Sequence, residues 1–221
     1  MEQIKRVTLF AGHYGSGKTN VAVNYALKLK KMGLDTAIAD LDIVNPYFRT
    51  KDSIDILTAN GIELISSEFA GSNVDLPALP SSVYSLIDIH ERHAIFDIGG
   101  DDRGATALGR YSDAIKEEGN YELLLVVNKY RPLSKTPELC IEIMHEIEET
   151  ANMRFTGIVN DSNLGEETVP EDVLKSVPYA EEISRLTGLP IRFTCVTKKT
   201  YNELVGKIDN LMEIELQKKI I

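Results

Sequence analysis

The sequence predicts an open, doubly wound α/β domain with a mainly parallel sheet and helices on both faces, on three observations. Short β-rich runs alternate with longer amphipathic segments, several runs are apolar at every position, and the residues with distinctive chemistry fall just after the runs. Regular alternation points to strand–helix units. Runs such as Leu123-Leu124-Leu125-Val126-Val127 suit strands covered by helices on both faces. Such sheets bind ligands beyond the carboxyl ends of their strands.

The pattern places strands at Arg6–Ala11, Thr36–Ala39, Glu63–Ile65, Ala94–Ile98, Leu123–Val127, Phe155–Val159 and Ile191–Cys195. Helices are expected near Lys18–Met32, Thr50–Asn60, Val83–His90, Ala105–Glu118, Thr136–Ala151, Tyr179–Thr187 and Tyr201–Lys219. In the last of these, Leu204, Ile208, Leu211 and Met212 recur at helical spacing. Its other face mixes Glu203, Asp209, Glu213 and Glu215 with lysines, which suits covering a sheet better than binding anionic lipid. No repeat, low-complexity stretch or linker interrupts the pattern, so residues 1–221 read as one domain.

Composition narrows the class. Hydrophobic residues at 43 % and charged residues at 26 % are ordinary for a soluble globular chain. No apolar run of about 18 residues crosses a membrane, and the N-terminus lacks the layout of a signal peptide. Cys140 and Cys195 lie far apart without metal-type spacing, which suits buried thiols in a reducing cytoplasm. The net charge of −10 repels nucleic acid and anionic lipid. The basic clusters Lys28, Lys30, Lys31 and Lys218, Lys219 sit where they complement helix ends.

The run Gly12-His13-Tyr14-Gly15-Ser16-Gly17-Lys18-Thr19 fits G-x-x-x-x-G-K-[ST], with a strand before it and a helix after. Its glycines let the backbone turn N–H groups onto phosphate oxygens, and the helix adds its positive end. Lys18 is expected to neutralise the β- and γ-phosphates, with the Thr19 hydroxyl on magnesium. Two further strands end in acids. Asp40-Leu41-Asp42 spaces two carboxylates by one residue, which in extended chain puts both on one face. Either the pair serves a metal and an attacking water, or it caps the strand. Asp97-Ile98-Gly99-Gly100 supplies a third carboxylate on a glycine turn, with Asp101, Asp102 and Arg103 following.

With these motifs in place, the chain resembles the CobQ/CobB/MinD/ParA group of P-loop ATPases, of the nitrogenase-iron-protein-like class. The resemblance rests on GHYGSGKTN at 12–20, DLD at 40–42 and DIGGD at 97–101. It implies ATP and Mg²⁺ as cofactors, a nucleotide cradle over Gly12–Asn20, Asp42 beside the attacking water, and Asp40 and Asp97 supporting the metal with Thr19. It also implies a face-to-face homodimer, ATP hydrolysis and a protein client. Asn160 stands where the family often reads adenine, although an ordinary turn also takes Asn there. Asn128-Lys129 faintly resembles a guanine-reading run, but Arg131 occupies the carboxylate's position.

Two departures matter. The partitioning and septum-site members carry a second lysine where His13 stands, so hydrolysis here either stays slow or uses another cation, Arg103 first and Arg49 second, unless Arg103 only pairs with Asp101 or Asp102 at the surface. No C-x-C pair holds a metal cluster between subunits. Two further readings accompany the ATPase: an ATP-dependent ligase or kinase of the cobyrinic-acid or dethiobiotin type, using residues near Arg49, Lys51 and 66–80, and a non-hydrolysing nucleotide-dependent binding module.

Overall fold

The computed structural model describes residues 4–42, 53–66 and 82–217. Arg49, Lys51, most of residues 66–80, Lys218 and Lys219 therefore lie outside the described residues. The described chain runs β1 (Val7–Ala11), α1 (Lys18–Lys31), β2 (Thr36–Leu41), α2 (Ile54–Ala59), β3 (Glu63–Ser66), α3 (Ser82–Asp88) and β4 (His93–Ile98). It continues through α4 (Asp102–Gly109), α5 (Ser112–Glu118), β5 (Tyr121–Val127), α6 (Pro137–Ala151), β6 (Gly157–Asn160), α7 (Pro170–Thr187), β7 (Ile191–Thr197), α8 (Lys198–Leu204) and β8 (Leu211–Ile214).

The strands form one eight-stranded sheet in the order β3-β2-β4-β1-β5-β6-β7-β8, and each pairing is parallel. The expected α/β class with helices on both faces is therefore what forms. Alternate residues of each strand enter different cores, as a pleated strand requires. Leu9, Phe96, Leu123 and Leu125 join the cluster that includes α4 to α7. Phe10, Ile38, Ile95, Leu124 and Val159 join the one that includes α1 and β8. Tyr25 of α1 meets Phe10 edge-on at 5.4 Å and stacks on Phe193 at 6.0 Å. Such pairs are worth about 0.5–1.5 kcal/mol each beyond burial, and here they seat α1 against β1, the strand that leads into the glycine-rich loop, and against β7.

Three expected helices are corrected. The Tyr201–Lys219 helix stops at Leu204, and Leu211–Ile214 becomes a strand paired with β7. Gly206 and Asn210 take φ of 79° and 53°, which breaks a right-handed helix at two places. Leu204, Ile208 and Leu211 still pack together, with Val173 and Val196, so their spacing reports a shared core without a shared helix. The 105–118 helix divides into α4 and α5 around Arg110-Tyr111. There Tyr111 is buried beneath Tyr84, with ring centroids 4.8 Å apart. The 179–187 helix begins nine residues earlier, at Pro170. Pro178 sits inside it but on the exposed side, where the lost backbone bond opens to water.

Candidate functional site

β1 lies between β4 and β5 in the centre of the sheet, so the loop at its carboxyl end opens where the strand order reverses. Within Gly12–Thr19, Gly12, Gly15 and Gly17 take φ of 148°, 76° and 99°, conformations that side-chain-bearing residues avoid. At Gly12 a Cβ would also lie 2.5 Å from the Val126 carbonyl oxygen. Ser16 N donates to the His13 carbonyl at 3.1 Å, and Lys18 Nζ donates to the same oxygen at 3.1 Å. The loop thus curls over its own lysine. Ser16 Oγ is buried without a partner, an orphan that a phosphate oxygen would satisfy. His13 Nδ1 donates to the Tyr14 carbonyl at 2.9 Å, and the Tyr14 ring stands exposed.

Lys18 is buried at the start of α1. Desolvation pushes its ammonium below the usual lysine range, opposed by the charges of Asp97, Asp42 and Asp101. The sequence accounts for that company. Asp40 and Asp97 keep the strand parity of Ile38 and Ile95, which face the α1 core, and they are register partners on β2 and β4. Asp40 Oδ1 accepts from Asp42 N at 2.9 Å, closing the turn at the strand end. Asp40, Asp42, Asp97 and Thr19 are all buried.

These groups fit a magnesium nucleotide. Among the described residues no three His, Cys, Asp or Glu side chains gather as a self-sufficient metal site. Magnesium held by phosphates and water asks only for one or two carboxylates and a hydroxyl. Thr19, Asp40 and Asp97 would supply them, and the metal would neutralise phosphate charge there.

The turn after β4 closes on the loop. A Cβ at Gly100 would lie 2.6 Å from Tyr14 N and 2.8 Å from Lys18 Nζ, and one at Gly104 would lie 2.3 Å from the Gly99 carbonyl oxygen. Asp101 caps α4, its Oδ1 accepting from Gly104 N at 3.0 Å. Beside this turn is a cavity of about 510 Å³, lined by His13, Gly100 and Arg103 and by Leu139, Glu142 and Ile143 of α6. Arg103 makes no ion pair with Asp101 or Asp102.

Two other expected ligands point elsewhere. Asn20 Oδ1 accepts from Gln217 N at 3.1 Å, while Asn24 brackets Glu215 by accepting from its N at 2.8 Å and donating to its carbonyl at 2.9 Å. Asn20 thereby helps hold the segment after β8 across α1. Asn160 has the parity of Ile158 and faces α7. Its amide donates to Ser176 Oγ at 2.9 Å and accepts from Ser162 N at 3.2 Å, with no surface exposed.

Two residues that the motifs did not place at the phosphate loop lie against it. Asp161 shares parity with Val159, on the α1 side, and a Cβ at Gly17 would lie 1.8 Å from its Oδ2. Arg131 approaches the loop from the turn after β5, 3.8 Å from where a Gly15 Cβ would stand. The parity of Asp161 was the available signal, because it continues a strand whose alternate residues face α1.

No family model and no curated protein sequence matches the chain. Solved structures do resemble it. FtsY from Mycoplasma mycoides superposes with a TM-score of 0.61 at 17 % identity, over 90 % of this chain and 62 % of that one. The cell division protein FtsY from Thermotoga maritima gives 0.58 at 19 %, over 89 % and 63 %. The signal recognition particle 54 kDa protein from Aeropyrum pernix, solved with GDP, gives 0.56 at 14 %, over 92 % and 44 %. The chain thus spans less than two thirds of these relatives' length. The likeness establishes a P-loop nucleotide-binding fold. No helix among the described residues is long and apolar enough to cross a membrane.

Proposed function

We propose that the chain is a P-loop switch that binds MgATP and hydrolyses it, in the manner of the MinD/ParA group, with the nucleotide state signalled to a protein client. The observation that carries this reading is Lys18. A buried ammonium under a curled glycine loop, faced by Asp97 and Asp42, has a high cost of desolvation that a bound phosphate offsets. Lys18 and the loop N–H groups hold the phosphates, Thr19, Asp40 and Asp97 serve magnesium, and Asp42 orients the attacking water. Two copies pair across the open face of the loop. Adenine is the proposed base, because Arg131 stands where a guanine-reading carboxylate would be; Asn160, committed to Ser176 and Ser162, would have to exchange those partners to read it. One observation favours guanine instead, the GDP held by the Aeropyrum relative.

Calorimetric titration tests the reading. Wild type binds MgATP more tightly than MgGTP by at least about tenfold, the 1.4 kcal/mol of one good set of polar contacts. Lys18→Ala folds but loses triphosphate affinity severely. Equal ATP affinity in both proteins removes the site assignment, and a GTP preference removes the adenine reading alone.

A further inference from the structure

Asp161 is buried to 1 % exposure, one carboxyl oxygen finds no partner, and the other occupies the space that the absent side chain of Gly17 leaves. Gly17 is the last glycine of the phosphate loop and caps α1 with φ of 99°. The Asp161 backbone is fixed as well, its N donating to the Val127 carbonyl at 2.9 Å. Asp161 is therefore a rigid acid set behind the helix end that faces the phosphates, and the motif assigns it no role.

The groups around it do not neutralise a charge there. Cys195 of β7 and Asn163 of its own turn lie against the carboxyl as hydrogen-bonding neighbours. Among the described residues Arg131, from the turn after β5, is the one cation that acts on it, and only weakly beside the effect of burial. Lys28 of α1 faces the Cys195 thiol. Burial pushes both the carboxyl and the thiol well above their usual ranges, which favours their uncharged forms. An ionised carboxylate at this depth would oppose the phosphates at the same helix end, through a medium that screens little.

We propose that Asp161 is a positioning residue for the nucleotide: its carboxyl group, seated against Gly17, holds the last turn of the phosphate loop in place behind the phosphates. This rests on the nucleotide-binding reading above. Triphosphate binding then favours protonated Asp161, so affinity falls as pH rises through its ionisation, by up to about tenfold per pH unit for one linked proton. Asparagine keeps the shape and cannot ionise. Alanine removes the group that Gly17 rests on.

The test is calorimetric titration of MgATP into wild type, Asp161→Asn and Asp161→Ala from pH 6 to 9, with circular dichroism to verify folding. Asp161→Asn binds at least as tightly as wild type at neutral pH and loses the part of the pH dependence that wild type shows beyond it, whereas Asp161→Ala binds more weakly at every pH. The same pH profile in wild type and Asp161→Asn overturns the proposal. If Asp161→Asn does not fold, wild-type binding heats in two buffers of different ionisation enthalpy decide instead. Net proton uptake that grows above neutral pH supports the proposal, and none overturns it. Lys18→Ala separates the two failures: if it binds as wild type does, the nucleotide reading has failed, and if it alone loses affinity, only the role of Asp161 has.

Discussion

Asp40 and Asp97 are register partners on the neighbouring parallel strands β2 and β4, both on the side of the sheet that α1 covers. Two buried acids at one level would repel each other strongly without a cation between or above them. Lys18 supplies one cation, through Asp97 first, and magnesium is the second that the arrangement accommodates. Asp97→Asn and Asp40→Asn should each cut MgATP affinity by about 10–100-fold, the range seen when a metal's supporting groups are removed, and leave metal-free ATP binding little changed. Asp40→Asn retains an oxygen for Asp42 N, so its local turn survives. Titrations with magnesium and with EDTA check this, and an unchanged magnesium dependence in both variants would reject the metal assignment.

Gly100 touches the phosphate loop closely enough to make a second prediction. A methyl group there meets Tyr14 N and Lys18 Nζ at under 3 Å, and backbone does not yield cheaply. Gly100→Ala should cost about 1–3 kcal/mol of stability and lower ATP turnover more than tenfold, because the turn after β4 can no longer close on Lys18. Gly188→Ala is the control: unlike Gly100, Gly188 has positive φ, and a methyl group there meets nothing within 4 Å, so the variant should lose stability through backbone strain alone and keep turnover. Equal turnover in the two variants would show that closure of this turn is not needed.

The fold and most of the cradle were legible because each has a local cause. Short β-rich runs mark seven of the strands, and the loop glycines announce their own positive φ. β8 was not legible, since Leu211-Met212-Glu213-Ile214 has helical spacing with Leu204 and Ile208, and only Gly206 and Asn210 betray the break. Asn20 and Asn160 illustrate a second limit. The motif and the resemblance single them out along the chain, but the partners their amides take, Gln217 and Ser176, come from other elements of the fold. Asp161 follows from strand parity alone, yet nothing in its neighbourhood of the sequence marks Gly17 as its contact.

Asp161 also carries a pH prediction for stability. Its carboxyl is raised well above the usual range by burial. At low pH both folded and unfolded chains hold the proton, so nothing is lost. As pH rises past the unfolded value the unfolded chain releases its proton first, and stability falls until the folded group ionises as well. Asp161→Asn should therefore be more stable than wild type at neutral pH, with the advantage shrinking toward pH 4. Denaturant melts at both pH values measure it, and an equal advantage at the two would show a packing effect in place of a proton.

The last prediction concerns the cation that His13 does not supply. Charge develops on the transferring phosphoryl group, and an arginine placed there is worth on the order of 10³–10⁵ in rate in related chemistry. Arg103 sits in the first turn of α4 and lines the cavity that His13 and Gly100 also line, which puts it beside the phosphate loop. Asp101, the acid that could have held it at the surface, is occupied as the cap of α4. Arg103→Ala should lower turnover at least about a hundredfold, a conservative fraction of that range, while MgATP affinity changes little, as expected for a contact made mainly in the transition state. His13→Lys should raise turnover by returning an ammonium to the loop. Mixing Arg103→Ala with Lys18→Ala chains then asks where the guanidinium acts: recovered activity places it across a dimer, and no recovery places it within one chain. Wild-type turnover in Arg103→Ala alone would remove this residue from the mechanism.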